Sequence, residues 1–441
     1  MSKRVLIIGA GPSGLLLAHY LLARQQKYQV DIYERRNDPR TISISRSRTF
    51  PVALNDRGMN ALKGIPGLKE AVIDVSVQMR GSVIHEPNGK QRKILRAKPL
   101  YTLDRTELTK VLLDSLEQRY SCNEHQQSQN RLNIYFQHSC TQIDLKRNQA
   151  TFSRLDSAES ESTVTYDLII GADGAKSTVR KHFLDTELFE LEQKYIDNDY
   201  KSIHLPSTVS EKFQIALERD CIHSWRLDDG SVILLLYQSD GKMSGVIHFP
   251  RDKSQVTELK TAAEVKQFFE QNAPAVGQLM NESEAAAFLD KPVANVLTIK
   301  CNRYHYHDSA LLIGDAAHAV SPSLGQGCNS ALEDAVIFNR LLDEYQDNLQ
   351  SALEQFTASR LTDARAVVEL SNYTLPLAKS LFVEFILRQR IAKIMHRLFP
   401  QRFFPPLFDA LYESSIPYGK IGEKYQGWCS RVKKSSVADY S

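Results

Sequence analysis

The clearest hydrophobic pattern in the chain is an apolar run that ends at a glycine turn and is followed by apolar residues at helical spacing. Residues 5–8 form the first such run, and residues 15–20 continue as a helix after the turn. A run that ends in a glycine turn returns at residues 166–174 and 309–315. Because buried parallel strands read as continuous hydrophobic runs, this pattern predicts an α/β fold built on a parallel sheet.

Residues 185–300 lack the pattern of an apolar run followed by a glycine turn, and they carry no glycine-rich loop. We interpret them as a mainly β domain inserted into the first one, and helical spacing returns over residues 352–398. The other predicted helices cover residues 56–74, 104–120, 262–272 and 330–345, and the other predicted strands cover residues 76–86, 91–104, 132–138, 200–205, 213–219, 231–237 and 243–249.

The first turn carries three glycines with the spacing Gly9-x-Gly11-x-x-Gly14. Gly9 can form a tight turn, Gly11 lets the backbone approach a pyrophosphate, and Gly14 lets the helix pack close to the strand. The start of that helix offers free N–H groups and a positive dipole end to phosphates. Glu34 ends the next strand, where an acid accepts a ribose hydroxyl. The motif favours NAD or FAD over NADP here; the alternative is a glycine turn without a ligand.

Two later turns also carry groups suited to a charged ligand. Asp173 and Gly174 follow one apolar run, and Asp315 follows another. A second glycine loop, residues 321–329, precedes a helix and offers backbone N–H groups to an electron-rich ligand. We interpret His318 as a residue that structures the turn before this loop, with a catalytic base as the alternative.

Composition and charge exclude several classes of protein. The 441 residues suffice for two or three domains, and a net charge of +3 spread along the chain gives no case for nucleic-acid binding. The six cysteines are scattered without a C-x-x-C pair, so we predict neither a metal site nor a disulfide framework. Since no apolar run is long enough for a bilayer and the first strand leaves no room for a signal peptide, we expect a soluble, cytoplasmic protein.

The three turn motifs, in this chain order, resemble the class A flavoprotein monooxygenases with the p-hydroxybenzoate hydroxylase fold. The resemblance covers most of the chain and is greatest to the kynurenine 3-monooxygenases, for example over residues 314–334. It implies a Rossmann-like FAD-binding domain with an inserted, mainly β substrate domain and C-terminal helices. The expected boundaries are 1–75, 105–184 and 300–345 for the FAD-binding domain, 76–104 and 185–299 for the substrate domain, and 346–441 for the C-terminal helical region.

The resemblance also implies an FAD site that includes the second glycine loop. Asp315 would hold the ribityl chain, and Asp173 with Gly174 would serve both FAD and the nicotinamide cofactor. The loop residues predicted to lie beside the isoalloxazine ring are Pro322, Gly325 and Gly327. The other FAD contacts that the resemblance carries over are Glu34, Arg35, Ala53, Arg105, Cys140, Cys328 and Asn329.

The implied activity is that of an FAD-dependent NAD(P)H monooxygenase. NADPH or NADH reduces FAD, O2 forms a flavin C4a-hydroperoxide, and its distal oxygen adds to an electron-rich aromatic ring. The protein positions the ring, excludes water and delays reduction until the substrate is bound, so it needs no dedicated acid or base. The alternatives are a kynurenine 3-monooxygenase with an altered pocket and an FAD reductase or oxidase that does not hydroxylate.

The substrate contacts of the kynurenine enzymes are changed in this sequence. Ser82 replaces the arginine that holds the substrate carboxylate. Arg80 and Arg96 are predicted to take over this contact, because arginine binds planar anions through two hydrogen bonds; the alternative is a pair of exposed sheet arginines. The family's pocket tyrosine, asparagine, glutamate and C-terminal tyrosine fall on Arg96, Thr374, Leu377 and Leu407 or Phe408. The predicted substrate contacts, for a small aromatic and possibly acidic molecule, are Arg80, Arg96, Thr374 and Phe408.

The segment from Phe382 to Phe408 is rich in aromatic and basic residues. It either packs over the substrate pocket or makes a weak peripheral membrane contact, and packing is favoured because its hydrophobics recur at helical spacing. Arg46 and Arg48 share a face if their segment is extended, and meet either an anionic ligand or solvent. We expect the chain to be a monomer or a homodimer.

Overall fold

The structure is a computed structural model that describes residues 2–41, 50–121, 131–155, 161–206, 217–252, 254–376 and 379–438. Arg46, Arg48 and Leu377 lie outside the described residues, so the predictions made for them stay predictions. The described residues form two large β-sheets, one small sheet and a set of helices.

The strands and helices are numbered in chain order. The strands are β1 (Lys3–Ile8), β2 (Tyr28–Glu34), β3 (Pro51–Leu54), β4 (Val77–His85), β5 (Gln91–Asp104), β6 (Leu132–Phe136), β7 (His138–Asp144), β8 (Gln149–Arg154), β9 (Ser162–Thr165), β10 (Leu168–Gly171), β11 (Leu191–Leu205), β12 (Cys221–Arg226), β13 (Val232–Tyr237), β14 (Met243–Pro250), β15 (Ala294–Cys301), β16 (His305–Tyr306) and β17 (Ala310–Leu312). The helices are α1 (Pro12–Leu22), α2 (Asp56–Lys63), α3 (Leu68–Asp74), α4 (Arg105–Tyr120), α5 (Thr178–Phe183), α6 (Ala262–Asn272), α7 (Pro274–Leu279), α8 (Glu282–Asp290), α9 (Asp315–His318), α10 (Gly327–Glu344), α11 (Leu349–Tyr373), α12 (Lys379–Leu398), α13 (Leu407–Tyr412) and α14 (Tyr418–Ala438).

The first large sheet contains the apolar runs that end at glycine turns. Its strand order is β16-β17-β10-β1-β2-β6, and every neighbouring pair is parallel except β16 with β17. Leu6 of β1 pairs with Ile169 of β10, and both side chains are fully buried. Because the strands are parallel, their carboxyl ends lie along one edge of the sheet, and the turns that follow β1, β2, β10 and β17 meet there.

Helix α1 lies in the core beside this sheet. Its residues from Ser13 to Leu22 are all buried, so the helix has no solvated face. The Tyr20 hydroxyl donates a hydrogen bond to the Ala61 carbonyl at 2.7 Å and ties α2 to α1. Helix α10 packs against both of these helices. A Cβ on Gly314 would lie 3.0 Å from Ser13 Oγ, so the turn after β17 lies beside the start of α1.

The second large sheet has the order β15-β11-β14-β13-β12-β4-β5-β3, and only β12 with β4 is parallel among its pairs in the described residues. Helices α6 to α8 cover one face, where Phe269 packs with Ile233 and Trp225. On the same sheet, Met79 and Leu236 form a small cluster with Tyr412 of α13. The sheet therefore lies between its own helices and the C-terminal region. A third, small sheet has the order β7-β8-β9.

The C-terminal helices form a separate core that includes the second glycine loop. Leu370 of α11, Leu407 of α13 and Tyr418 of α14 are fully buried together with Leu324 of that loop. The helical region is therefore packed directly on the loop that the sequence assigns to the flavin. Across the described ranges, no helix combines the length and the apolar character needed to cross a membrane.

The α/β fold class predicted from the sequence is confirmed. Two helix predictions are wrong in extent. The helix predicted over residues 56–74 is divided at residues 64–67, because Pro66 cannot continue a helix and Gly67 takes a left-handed φ of +73°. The helix predicted over residues 352–398 is divided after Tyr373, shortly before Pro376.

The substrate sheet contains elements that the sequence did not indicate. Strands β12 and β15 and helices α7 and α8 were not predicted, and the predicted strand over residues 213–219 falls mostly outside the described residues. Strand β3 pairs with β5, although residues 51–54 were assigned to the FAD-binding domain. The division into domains stays a prediction, and we propose to move these four residues to the substrate domain because their backbone hydrogen bonds are made there.

Candidate active site

The first glycine loop forms an open cradle at the start of α1. Gly9 has a φ of +104°, and a Cβ there would lie 2.5 Å from the Ala172 carbonyl oxygen. A Cβ on Gly14 would lie 2.4 Å from the Gly9 carbonyl oxygen, whereas one on Gly11 would have its nearest neighbour, Ala172, 4.0 Å away. Gly9 and Gly14 therefore shape the loop, and Gly11 leaves open space in front of it.

The start of α1 is free to bind an anion. No side chain of the described residues caps Gly11, so the first N–H groups of the helix are directed into the open space. Glu34 lies beside the loop, where its carboxylate accepts from the Ala10 N–H at 2.9 Å and from the Arg36 N–H at 2.9 Å. Arg35 is exposed at the end of β2. Uncapped N–H groups next to a carboxylate fit the diphosphate and ribose of FAD.

Asp173 follows β10 at the neighbouring position on the sheet edge. Its Oδ2 accepts from the Thr178 N–H at 2.6 Å, whereas its Oδ1 is buried without a partner among the described residues. Burial raises the pKa of Asp173. Gly174, with a φ of +81°, has open space where a Cβ would stand. A buried carboxylate oxygen without a partner beside such a space has unused capacity to accept a hydrogen bond from a ligand.

Cys140 lies close to Asp173 on the small sheet. Its thiol is buried, and burial together with the negative charge of Asp173 raises its pKa to about 12. The thiol of Cys328, at the start of α10, also has a pKa raised to about 12 by burial. Both thiols therefore stay protonated at neutral pH and are available for packing rather than for nucleophilic chemistry.

A buried carboxylate holds the turn that carries Asp315. Asp334 Oδ2 accepts from the Gly314 N–H at 2.8 Å and contacts His318 Nε2 at 2.6 Å, while its Oδ1 accepts from Arg360 Nε at 2.8 Å. Burial alone would raise the pKa of Asp334, but the charges of His318 and Arg360 and the Gly314 N–H hold it below its usual value. His318 is buried in this contact, which agrees with a structural role in the turn.

Asp315 lies at the start of α9 and is partly exposed on the sheet edge. Burial raises its pKa, and the positive charge of Arg105 opposes part of the shift. The Arg105 guanidinium lies 5.6 Å from the centre of the Phe50 ring, which meets Tyr200 edge-on at 5.8 Å. Arg105 thus lies beside the Phe50 ring and close enough to Asp315 for its charge to act on that carboxylate.

The second glycine loop is built from a short 3-10 turn over Pro322–Leu324 and the start of α10. Gly325 ends the turn with a left-handed φ of +58° and open space where a Cβ would stand. Gly327 is the first residue of α10, and a Cβ there would lie 4.0 Å from Asp315 Oδ1. Asn329 fixes the loop, because its Nδ2 donates to the carbonyls of Ala53 at 2.8 Å and Gly325 at 3.1 Å.

A buried polar network that sequence reasoning missed joins this loop to the C-terminal helices. The Gln326 Oε1 accepts from the Tyr418 hydroxyl at 2.9 Å and from Asn55 Nδ2 at 3.2 Å. Arg57 lies 4.0 Å from the centre of the Tyr418 ring and bonds to Glu333 at 2.6 Å. The sequence could have indicated Asn55 as the N-cap of α2, because asparagine is favoured directly before a helix. It contained no pattern that would indicate the long-range partners of Asn55.

The predicted substrate residues do not all come together. The Arg96 NH2 group donates to Ser82 Oγ at 3.3 Å, and its guanidinium lies 5.1 Å from the centre of the Tyr412 ring. Phe408 stacks on Tyr412 at 6.1 Å. Thr374 instead lies in the C-terminal core, where its carbonyl accepts from the Trp428 indole N–H at 2.9 Å. Arg80 is exposed.

Tyr412 is the residue beside Arg96 that the sequence did not indicate. Its hydroxyl donates to the Leu324 carbonyl at 2.9 Å, so it links the second glycine loop to Arg96. Burial raises its pKa, against the opposing charge of Arg96. The signal was available only indirectly, because Tyr412 follows Phe408 by four residues and therefore shares its side of a helix.

The site combines the first glycine loop at the carboxyl edge of the parallel sheet, the second glycine loop and the inserted sheet. Together these features define a flavoprotein. The model of the family described as "FAD binding domain" matches residues 2–371, and the chain belongs to this family. It is 32% identical to the kynurenine 3-monooxygenase of Drosophila willistoni, over 95% of this chain and 89% of that protein. It is 29% identical to the kynurenine 3-monooxygenase of Sus scrofa, over 98% and 88% respectively.

Solved structures show the same fold. The tetrameric form of 2-methyl-3-hydroxypyridine-5-carboxylic acid oxygenase superimposes with a TM-score of 0.64 at 18% identity, over 89% of this chain and 93% of that chain. The class predicted from the sequence is confirmed: the protein is an FAD-dependent NAD(P)H monooxygenase that hydroxylates an aromatic molecule with O2. The individual cofactor and substrate contacts stay predictions.

We predict that alanine at two glycines of the first loop separates folding from FAD binding. Gly14→Ala brings its Cβ into the Gly9 carbonyl and is expected to destabilise the apoprotein by about 1–3 kcal/mol. Gly11→Ala fills space that is empty in the protein, so it leaves the apoprotein melting temperature unchanged but raises the Kd for FAD at least about tenfold, the equivalent of one lost contact of ~1.4 kcal/mol. Thermal melts and flavin fluorescence titrations measure both effects. Unchanged FAD affinity of the Gly11 variant would contradict a diphosphate at this helix start.

We predict that Asp334→Asn destabilises the fold by about 1.5–3 kcal/mol, because it removes the fully buried carboxylate that binds Arg360 and His318. Arg360 keeps its two less buried partners, Glu333 and Asp363. The lowered pKa of Asp334 means that its contribution is complete above the unfolded-state value of ~3.9 and is lost as the pH falls further. Urea titrations of both proteins should therefore converge at acid pH. Asp343→Asn is the matched control on the same helix, since its exposed pair with Arg24 is worth about 1 kcal/mol or less. Equal losses in the two variants would refute the role of Asp334.

Proposed function

We propose that the substrate of this hydroxylase is an aromatic carboxylic acid of the kynurenine type, with its carboxylate bound by Arg96. The observation that carries this proposal is the contact between Arg96 and Ser82. Ser82 stands where the kynurenine enzymes have their carboxylate-binding arginine, and the Arg96 guanidinium reaches this place from the neighbouring strand β5. In this proposal Arg96 supplies the cation that the arginine at the position of Ser82 supplies in the kynurenine enzymes.

The guanidinium of Arg96 has free capacity for a ligand. Its Nε is buried without a partner among the described residues. A buried guanidinium N–H without a partner is costly, and a carboxylate would satisfy it through two parallel hydrogen bonds. The neutral Tyr412 ring contacts the Arg96 guanidinium only through its π face, so it does not accept a hydrogen bond from the Nε–H group.

Apolar side chains beside Arg96 supply a surface for an aromatic ring. Met79, Leu100 and Leu236 are buried here, with Ile222 and Tyr412 packed against them. Ala53, whose carbonyl bonds to Asn329 of the second glycine loop, belongs to the same cluster. An aromatic acid that places its carboxylate on Arg96 would therefore extend its ring along this surface towards the loop.

We further propose the division of tasks around FAD. Gly11 and Glu34 hold its diphosphate and ribose, and Asp315 holds its ribityl chain. Asp173 and Gly174 contact both FAD and the nicotinamide cofactor, and the loop of Pro322, Gly325 and Gly327 lies beside the isoalloxazine ring. Bound FAD that NAD(P)H has reduced supplies the activation of O2. The loop presents backbone N–H groups and no carboxylate, lysine, arginine or histidine, and burial keeps its one thiol, Cys328, protonated by raising its pKa to about 12, so the loop can bond to polar atoms there without competing as an acid. The packed C-terminal helices behind the loop help to exclude water.

The test is oxidation of NADPH and NADH by the FAD-loaded enzyme, with and without kynurenine and other aromatic acids, together with product masses. We expect one acid of this type to accelerate oxidation and to yield a product one oxygen atom heavier. Arg96→Met should raise KM for that acid about 10- to 150-fold, the equivalent of ~1.5–3 kcal/mol for hydrogen bonds to a charged group. Arg92→Met is the matched control, since Arg92 is exposed on the same strand.

A neutral analogue that lacks the carboxylate completes the test. It should bind the wild type and the Arg96→Met variant equally weakly, because the interaction that the substitution removes is already absent. An unchanged KM for the acid in the Arg96→Met variant would exclude Arg96 as the carboxylate contact. Steady oxidation that yields only hydrogen peroxide with every aromatic acid would exclude this substrate class.

A further inference from the structure

The second large sheet has one face that its own helices leave uncovered. Along β14, Ile247 and Phe249 are buried in the core that the sheet shares with α6 to α8, whereas Val246 and His248, which alternate with them, are half-buried. Tyr200 of β11 is also half-buried and lies directly opposite His248 in the register of the two strands. Because successive side chains of a strand point to opposite faces, Tyr200 and His248 face away from α6 to α8.

This uncovered face is concave, because distant strands of the sheet come into contact across it. Phe50 directly precedes β3, which is an edge strand, and its ring meets Tyr200 edge-on with the ring centres 5.8 Å apart. Ala53 of β3 packs in one cluster with Leu236 of β13. Strand β11 is next to the opposite edge, so these contacts require a curled sheet. The face that carries His248 therefore lies around an interior space.

His248 lies next to the candidate FAD site. The centre of its ring is 5.8 Å from the centre of the Tyr200 ring. Burial raises the pKa of Tyr200, and the charges of Arg105 and Asp315 act on that pKa as well, so Tyr200 is close to two residues that are predicted to contact FAD. His248 stands one strand further from them, a separation of about 5 Å. This places its ring on the side of the interior space that is left for the substrate.

The imidazole of His248 has no hydrogen-bond partner among the described residues. Its neighbour on β13 in the strand register, Val232, is apolar and offers none. Burial lowers the pKa of His248 to about 4, so the ring is neutral at neutral pH. A neutral imidazole carries one N–H donor and one nitrogen that accepts a hydrogen bond. Because polar atoms inside a protein are normally hydrogen-bonded, this ring has capacity for a ligand.

From this placement we infer that His248 is a specificity-determining residue, whose ring accepts a hydrogen bond from an amino or hydroxyl group on the aromatic ring of the substrate. Hydroxylation adds oxygen to an electron-rich ring, and an amino or hydroxyl substituent supplies that electron density. A hydrogen bond from the substituent to an acceptor strengthens its electron donation and orients the ring. A neutral imidazole suits this task better than binding of a carboxylate, since it carries no charge to offset one. The inference rests on the hydroxylase class and is independent of the contact proposed for Arg96.

The test is titration of the FAD-loaded enzyme with two matched pairs of ligands, followed by flavin absorbance. One pair is kynurenine and its analogue without the ring amino group, and the other is 4-hydroxybenzoate and benzoate. We expect the wild type to bind the amino or hydroxyl member of at least one pair more tightly. His248→Phe should raise the Kd for that member about 3- to 10-fold, the range for one hydrogen bond between uncharged groups, and leave the Kd of its partner unchanged. His248→Gln keeps an acceptor and should restore part of the difference.

His307→Phe is the matched control, because His307 is exposed beside the parallel sheet, and its ligand affinities should equal those of the wild type. The inference is overturned if the wild type binds both members of each pair equally, or if His248→Phe weakens both members of a pair equally. It is also overturned if His248→Phe changes the Kd for FAD or the spectrum of the ligand-free flavin, because the ring would then contact the flavin. Arg96→Met should weaken both members of the kynurenine pair alike, since both carry the carboxylate, so a failure of that proposal is seen separately.

Discussion

The fully buried carboxylate of Asp334 connects parts of the chain that lie far apart in sequence. One oxygen binds the Gly314 N–H and His318, and the other binds Arg360 of α11. A fully buried carboxylate needs hydrogen bonds and opposite charges from its protein neighbours, because solvent does not reach it. The turn of Asp315, the part of α10 that carries Asp334 and the middle of α11 can therefore be arranged relative to one another in few ways. The position of the second glycine loop follows from this, since the loop connects two of those elements.

Buried hydrogen bonds also fix the second glycine loop relative to α2 and to the C-terminal helices. Gln326 of the loop is bound by Tyr418 from α14 and by Asn55 from the start of α2, and Tyr412 of α13 binds the carbonyl of Leu324. The C-terminal helices are therefore part of the loop's hydrogen-bonded surroundings and not a separate appendage. One side chain, Tyr412, therefore contacts both Arg96 and the loop.

Acidic and basic side chains are concentrated in different parts of this molecule. Acidic groups such as Glu34, Asp173 and Asp315 stand at the carboxyl edge of the parallel sheet, where helix starts and Arg105 offset them. The substrate sheet contributes Arg96, and the surface helix α12 carries a cluster of cations.

The sequence alone determined the parallel sheet, the glycine cradle and the acid at Glu34, because these depend on local spacing: an apolar run, a turn and a helix start lie within about 20 residues. The class of enzyme followed from the resemblance of three such turns, in their chain order, to a known family. The sequence also placed the pair of strands that carries Arg96. Only the tertiary structure decided that Arg96 of β5 reaches Ser82 of the neighbouring strand β4, that Tyr412 rather than Thr374 stands beside it, and that the apolar side of α12 faces solvent. Contacts between residues hundreds of positions apart, such as Asn55 with Leu411 and Gln326, leave no periodic signal in the chain, since they arise from how completed elements pack.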